Sequence, residues 1–482
     1  MSKQINMTKV LGLVLGPVFF LVFLFISFQT SQPQLYQVLA LAVWMVTWWA
    51  TDAIPIPATA LLPIIALPLL NIFDVSQATA PYASSIIFLF MGGFMIALAL
   101  EKHNLHQRIA LNLLKITGKS GNGIILGFMI ATALLSMWIS NTATAVMMLP
   151  IATSVVSLIL DKDSKKLTKK EKYFALGLML SIAYSANIGG TMTLIGTPPN
   201  VVMAGYLSEI LSYEMSFSNW LGIGVPVGIC LLTATYFMIT QVLFKNNLKQ
   251  IEGSAELIKQ ELNKLGGISK NEKIVLAIFG FTAFCWIFKQ QINGVIGSPL
   301  LNDTVTAMTG GLLMFVTPIN LKKSKFVLNW KDTTRLPWGI LLLFGGGMCL
   351  ARAMEHVGII GLMGEFVQGQ GDLDIALIVL LTTAIVLFLT ELMSNVALVT
   401  IFIPVIIGIA QGLNIDPMLL VIPATIASSC AFMMPISTPP NAIVFSSGHI
   451  KIKDMMRAGI LLNIIAIAVL VLLSLLLVEY VV

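Results

Sequence analysis

The chain has 482 residues, 57% of them hydrophobic and only 10% charged, with a formal net charge of +6. A water-soluble protein of this length needs far more polar surface, so these figures exclude one and place the chain in a bilayer. The basic excess speaks to topology rather than to nucleic acid: 26 of the 28 Lys and Arg lie before residue 10 or in 102–119, 161–172, 245–273, 322–335 and 451–457, leaving only Lys289 and Arg352.

The first apolar stretch, 10–29, follows Lys3 and Lys9 and has no small-residue cleavage site after it. It reads as a retained span within an N-terminal unit, 1–35, and not as a secretory signal. Further stretches near spanning length follow at 36–51, 218–243 and 458–480; about 20 apolar residues match the hydrocarbon thickness as a helix. The connections 30–35, 71–82, 212–217, 291–302 and 413–416 contain no Lys or Arg. Cytoplasmic loops retain positive charge, so the alternation predicts a cytoplasmic N-terminus and an external C-terminus.

Self-similarity divides the rest. Phe90-Met91-Gly92-Gly93 matches Phe344-Gly345-Gly346-Gly347 at an offset of 254, which also pairs Ala97 with Ala351, Glu101 with Glu355, Ser140 with Ser394, Asn141 with Asn395, Ala143 with Ala397 and Pro150 with Pro404. Farther on, Thr197-Pro198-Pro199-Asn200 pairs with Thr438-Pro439-Pro440-Asn441 at an offset of 241; the lost 13 residues correspond to the Lys-rich loop around 161–172. The hairpin 120–160 is flanked by basic segments and the hairpin 373–412 by segments without Lys or Arg, 355–372 and 413–416, so they should enter from opposite faces. Equivalent segments of opposite topology mark an inverted-repeat transporter. The predicted repeats are 36–243 and 273–482, joined by a polar, partly helical cytoplasmic linker, 244–272.

Each re-entrant hairpin should turn at a Ser-Asn pair, Ser140-Asn141-Thr142 and Ser394-Asn395-Val396. A full span does not fit on either side of these tips, so backbone must break at membrane depth, which is tolerated only inside protein or beside a cavity. Tandem prolines interrupt two further spans, giving unwound loops at 188–200 and 434–441. Unwound carbonyls suit a hard cation, and the N-terminus of a following half-helix suits an anion. No Lys, Arg or His lies in either tip or loop. A dianion would therefore rest on neutral donors, helix ends and co-bound cations. Glu391 is the nearest acid, read either as a structural hydrogen-bond acceptor or as a coupling group.

Cys230, Cys285, Cys349 and Cys430 show no paired spacing and read as core residues. His103 and His106 lack further ligands for zinc. A cation/proton antiporter should place acids in its core, but neither tip and neither unwound loop contains one; a membrane enzyme needs a nucleophile with a base, or a metal cluster, and the sequence offers neither pattern. Re-entrant hairpins meeting from both sides also disfavour a simple channel.

Trp138-Ile139-Ser140-Asn141-Thr142-Ala143-Thr144, Ile195-Gly196-Thr197-Pro198-Pro199-Asn200, Ser394-Asn395-Val396-Ala397 and Ser437-Thr438-Pro439-Pro440-Asn441-Ala442 resemble the motifs of the divalent anion/sodium symporters, the family of the sodium–dicarboxylate and sodium–citrate carriers. The resemblance implies an all-α polytopic membrane protein with about eleven spans plus two re-entrant hairpins, divided into scaffold and transport domains. It implies a homodimer, an elevator mechanism and a bacterial inner (plasma) membrane location. Carried over, Ser140, Asn141, Thr142, Thr197, Ser394, Asn395 and Thr438 would hold substrate. One sodium site would use Ser136, Ser140, Asn141 and the Gly196 carbonyl; the other would use Asn395 and carbonyls of Thr390, Met393 and Ser437. Sodium is then cargo and not a prosthetic group. Val396 departs from the Ser-Asn-Thr form some members carry in both halves, which withdraws a hydroxyl contact. The implied activity is sodium-coupled uptake of C4-dicarboxylates such as succinate, malate or fumarate. A sodium-independent exchanger, or a citrate or sulfate carrier, of the same fold is the alternative.

Overall fold

The computed structural model describes residues 7–159, 168–368 and 374–481. Lys3, most of the Lys-rich loop 161–172 and residue 373 of the second hairpin lie outside the described residues.

The chain opens with α1 (Met7–Ser27) and α2 (Pro33–Thr51), then three short helices, α3 (Ile56–Thr59), α4 (Leu62–Leu69) and α5 (Val75–Thr79). After α6 (Ser85–Lys102) and the amphipathic α7 (Leu105–Ile116) come a hairpin, α8 (Gly121–Ser136) and α9 (Asn141–Ser157), and a broken helix, α10 (Lys169–Thr191) and α11 (Pro198–Leu211). Next are α12 (Phe217–Phe237) and, within the linker, α13 (Ser254–Lys264). The following stretch holds α14 (Lys270–Ile287), α15 (Lys289–Ile296) and α16 (Asp303–Val316), and a small antiparallel ribbon, β1 (Pro318–Asn320) with β2 (Lys325–Phe326), the one exception to an all-helical reading among the described residues. The order hairpin then broken helix recurs after α17 (Trp338–His356) and α18 (Ile359–Gln368): α19 (Ile375–Leu389) and α20 (Asn395–Gly412), then α21 (Met418–Ser428) and α22 (Pro439–Phe445), closed by α23 (Ile452–Val481).

Helix starts are set by local side chains. Ser120 accepts from the Gly123 amide at α8, and Thr168–Glu171 and Ser269–Glu272 form reciprocal capping boxes at α10 and α14. Each cap satisfies donors that the first turn leaves without intrahelical partners.

Among the described residues seven helices are long and apolar enough to cross a membrane, and an eighth if α14 and α15, bent by 76° at their junction, make one span. The expectation that neither arm of either hairpin can span holds for α8, α9 and α19 but not for α20, whose 18 residues run through Pro404 to Gly412.

The broken helices organise the packing. α10 lies against α8, α9, α12 and α22, and α21 against α19, α20, α23 and α11. Each broken helix thus sends its second piece across, α11 onto α20 and α22 onto α9. The apolar stretch of α10 is 100% buried inside the protein whereas that of α1 is 17% buried, so α10 is the central element and α1 a peripheral one. Since lipid tails are as apolar as Leu, close contact and hydrogen bonds, more than apolar burial, hold such helices together.

The cysteine reading needs one correction. All four are free, but Cys230 is exposed on α12 and only the other three are buried. His103 Nε2 lies 3.0 Å from the Val327 carbonyl and His106 Nδ1 lies 3.1 Å from that of Leu100, so each ring has its own backbone partner.

Candidate functional site

Both Ser-Asn tips and both Thr-Pro-Pro-Asn loops open into a single cavity of about 740 Å³. Ser140, Asn141, Thr142, Thr197, Ser394, Asn395 and Thr438 all line it, as do Gly196, Met393 and Ser437. Ser136 and Thr390 do not reach the cavity; both are fully buried behind the tips.

From there they hold the tip asparagines in matching ways. Ser136 Oγ donates to Asn141 Oδ1 at 2.6 Å and lies 2.7 Å from the Ala186 carbonyl oxygen. Thr390 Oγ1 donates to Asn395 Oδ1 at 2.8 Å and bonds the Ser428 carbonyl. Each hydroxyl thus fixes the half-buried amide in front of it in one orientation.

The unwound loops are braced just as regularly. Asn200 Nδ2 donates to the carbonyl of Thr193 at 2.8 Å and Asn441 Nδ2 to that of Met434 at 3.0 Å, positions again 241 apart. The motif's asparagine therefore holds its own loop, which explains why it follows the proline pair.

The loop bounds differ from expectation. Helix α10 continues through Gly189 and Gly190 to Thr191, so the first break is Met192–Thr197, narrower than 188–200. The glycines serve close approach: an added Cβ would lie 2.4 Å from the Ala133 carbonyl at Gly189 and 2.4 Å from Asn141 Oδ1 at Gly190. The second break begins earlier than 434, at Ser429, and Glu391 holds the non-helical backbone a few residues past its start. Its carboxylate accepts from the amides of Phe432 (2.8 Å), Met433 (2.9 Å) and Met434 (3.2 Å), from Ser437 Oγ (2.7 Å) and from Asn463 Nδ2 (2.9 Å). Of the two readings, the structural acceptor is the one these contacts describe. The corresponding position in the first half is Met137, so this brace has no counterpart there.

Helices α9 and α20 begin at the tips, so their free first-turn amides and positive dipole ends face the cavity. Ser140 caps the Ala143 amide at 3.2 Å, whereas Ser394 makes no side-chain cap. The anion reading is weaker at α11 and α22. Two prolines remove two donors at each start, and the next amides bond Thr197 O (3.2 Å) and Thr438 Oγ1 (3.4 Å). Those ends offer hydroxyls and carbonyls instead. Val396 lines the cavity where Thr142 stands in the other half, presenting an apolar surface.

Three lining residues with amide or charged side chains carry no site assignment in the sequence reading. Asn187 Nδ2 donates to Thr438 Oγ1 at 3.1 Å and joins α10 to the opposite loop; a lone Asn in an apolar span was its only signal. Glu101 and Arg335 stand at the rim with Arg335 Nη2 3.5 Å from Glu101 Oε2. Glu101 carried a signal in sharing the repeat register with Glu355, but Arg335 reads as one more cytoplasmic charge.

Half-helices meeting around a cavity of neutral donors, in a chain of long apolar helices, define a polytopic membrane carrier. Residues 7–482 match the sodium:sulfate symporter transmembrane region, and the chain belongs to that family. It is 39% identical over 481 residues to the sodium-dependent dicarboxylate transporter SdcS of Staphylococcus saprophyticus, covering 98% of this chain and 92% of that one. It is 38% identical over 475 residues to SdcS of Staphylococcus aureus strain USA300, covering 98% and 91%. Two solved structures share the fold at low identity. The first is Neisseria gonorrhoeae MtrF, of a class of antimetabolite efflux pumps (TM-score 0.60, 10% identity, 96% of this chain and 94% of that one). The second is the Alcanivorax borkumensis YdaH transporter (TM-score 0.61, 12% identity, 91% and 98%).

Proposed function

We propose that this protein imports C4-dicarboxylates such as succinate, malate or fumarate, coupled to sodium. The observation that carries this reading is the cavity where both tips and both loops converge with neutral oxygens and amides and no basic side chain of their own. Relatives named sodium-dependent dicarboxylate transporters support the choice of cargo. A dicarboxylate taken from water loses several kcal/mol of hydration per charge. Sodium ions bound beside it offset that loss and make the loaded site close to neutral.

In this reading Ser140, Asn141, Thr142 and Thr197 face one carboxylate, and Ser394, Asn395 and Thr438 the other. One sodium is held by Ser136, Ser140, Asn141 and the Gly196 carbonyl, the second by Asn395 with carbonyls of Thr390, Met393 and Ser437. The halves 36–243 and 273–482 are inverted repeats, with about eleven spans once broken and bent helices are counted. Their hairpins and broken helices form a transport domain that slides as an elevator against the scaffold of a homodimer. The N-terminus lies in the cytoplasm and the C-terminus outside a bacterial inner membrane.

The test is uptake of labelled succinate into proteoliposomes with and without a sodium gradient, alongside citrate and sulfate as competitors. Gradient-driven uptake that succinate, malate and fumarate compete for is the expected result. Equal uptake without sodium sinks the symport reading in favour of exchange. Preferential competition by citrate or sulfate reassigns the cargo.

A further inference from the structure

Among the described residues two charged side chains line the main cavity, Glu101 and Arg335. They also line a second cavity of about 610 Å³, whose wall includes Glu261, Lys264 and Leu265 of the linker. Glu101, Ala143 and Arg335 are common to both linings, so the ion pair stands on the partition between a linker-side vestibule and the substrate site.

Arg335 ends the 3-10 turn Trp330–Arg335, separated from α17 by Leu336 and Pro337. That turn is pinned: Asp332 accepts from the Asn329 amide at 2.7 Å and from Lys102 Nζ at 2.7 Å. The backbone under Arg335 is therefore fixed while its side chain is 60% exposed. Its contact with Glu101 is one nitrogen–oxygen approach of 3.5 Å. A structural arginine in this protein looks different. Arg108 grips both oxygens of Glu272, at 2.5 and 3.3 Å, and donates to three backbone carbonyls as well. An exposed single-contact pair contributes little to stability, and a guanidinium keeps its charge and prefers two-pronged carboxylate partners.

We infer that Arg335 is the capture residue for carboxylate substrate at the linker-side mouth, with Glu101 as the internal carboxylate it releases when substrate arrives. This rests on the dicarboxylate reading above and adds a positive group that the tips and loops lack. A cation at the mouth raises local dianion concentration, and exchange of one carboxylate for another keeps Arg335 paired throughout. The substrate then passes to the neutral donors beyond.

The test measures substrate KM separately at the two membrane faces, in right-side-out and inside-out vesicles carrying the full chain. For R335Q the ratio of linker-face to opposite-face KM should rise about tenfold and lose much of its ionic-strength dependence. R335K should restore part of it, since a point charge attracts without the two-pronged fit. E101Q should move the ratio the other way, because Arg335 no longer has its internal partner. An unshifted ratio in R335Q, or equal KM changes at both faces as from a general structural defect, overturns the inference. A parent chain that carries none of succinate, citrate or sulfate overturns the transport reading, and this inference with it.

Discussion

Ser136 donates its hydroxyl to Oδ1 of Asn141 at 2.6 Å from a fully buried position outside the cavity. Thr390 does the same for Asn395 at 2.8 Å, 254 residues later. Each hydroxyl fixes the asparagine that faces the site, and Ser136 also belongs to the proposed sodium site itself. Ser136→Ala and Thr390→Ala should each weaken sodium dependence by roughly tenfold while the protein still folds. Sodium titrations of uptake check this; a change in succinate KM at saturating sodium, with unaltered sodium dependence, speaks against it.

Glu391 accepts five hydrogen bonds and is 4% exposed. In Glu391→Gln one oxygen becomes an NH₂ facing donors, so the loop Ser429–Thr438 should loosen. Because hydrogen bonds to a charged group are the stronger kind, we expect a loss of about 2–3 kcal/mol. Thermal unfolding of the solubilised protein measures it. Met137→Ala, at the position without this brace, should cost less.

Gly190 leaves room for Asn141, with an added Cβ falling 2.4 Å from its Oδ1. Gly190→Ala should displace the tip and lower transport on the order of a hundredfold, since misplacement of about 1 Å is enough for that. Gly280→Ala is the control, because a Cβ there meets nothing within 4 Å. Wild-type uptake by Gly190→Ala would contradict the close approach of the tip to α10.

Asp332, in the turn beneath Arg335, carries a pH dependence. Burial pushes its carboxyl up, but hydrogen bonds from Lys102 and the Asn329 amide outweigh this and hold it below the ordinary range. A depressed carboxylate contributes stability that is present above its unfolded pKa, about 3.9, and lost as pH falls toward the folded value. Melting temperature followed from about pH 6 to about pH 3 should fall less steeply in Asp332→Asn than in the parent.

Much of this site was legible in one dimension. A Ser-Asn pair in an apolar hairpin and tandem prolines in an apolar span each break a helix for local steric and hydrogen-bonding reasons, and local causes can be read locally. Repetition at 254 and 241 residues then told that the breaks belong together. What could not be read were partners made across the fold. Glu391 meets amides some forty residues on, Asn187 meets Thr438 of the opposite loop, and Arg335 meets Glu101. No spacing rule links such residues, because their proximity is set by how distant helices pack.

The chain by itself thus determined the class, the broken segments and the residue types at the tips, since hydropathy and proline sterics act within a few residues of sequence. The tertiary structure brings the four breaks to one cavity, as their repetition implies, and it alone decided where each unwound loop ends and which charges guard the rim. Those outcomes depend on helix packing between distant segments, where close approach and buried hydrogen bonds select one arrangement among many that the same apolar pattern allows.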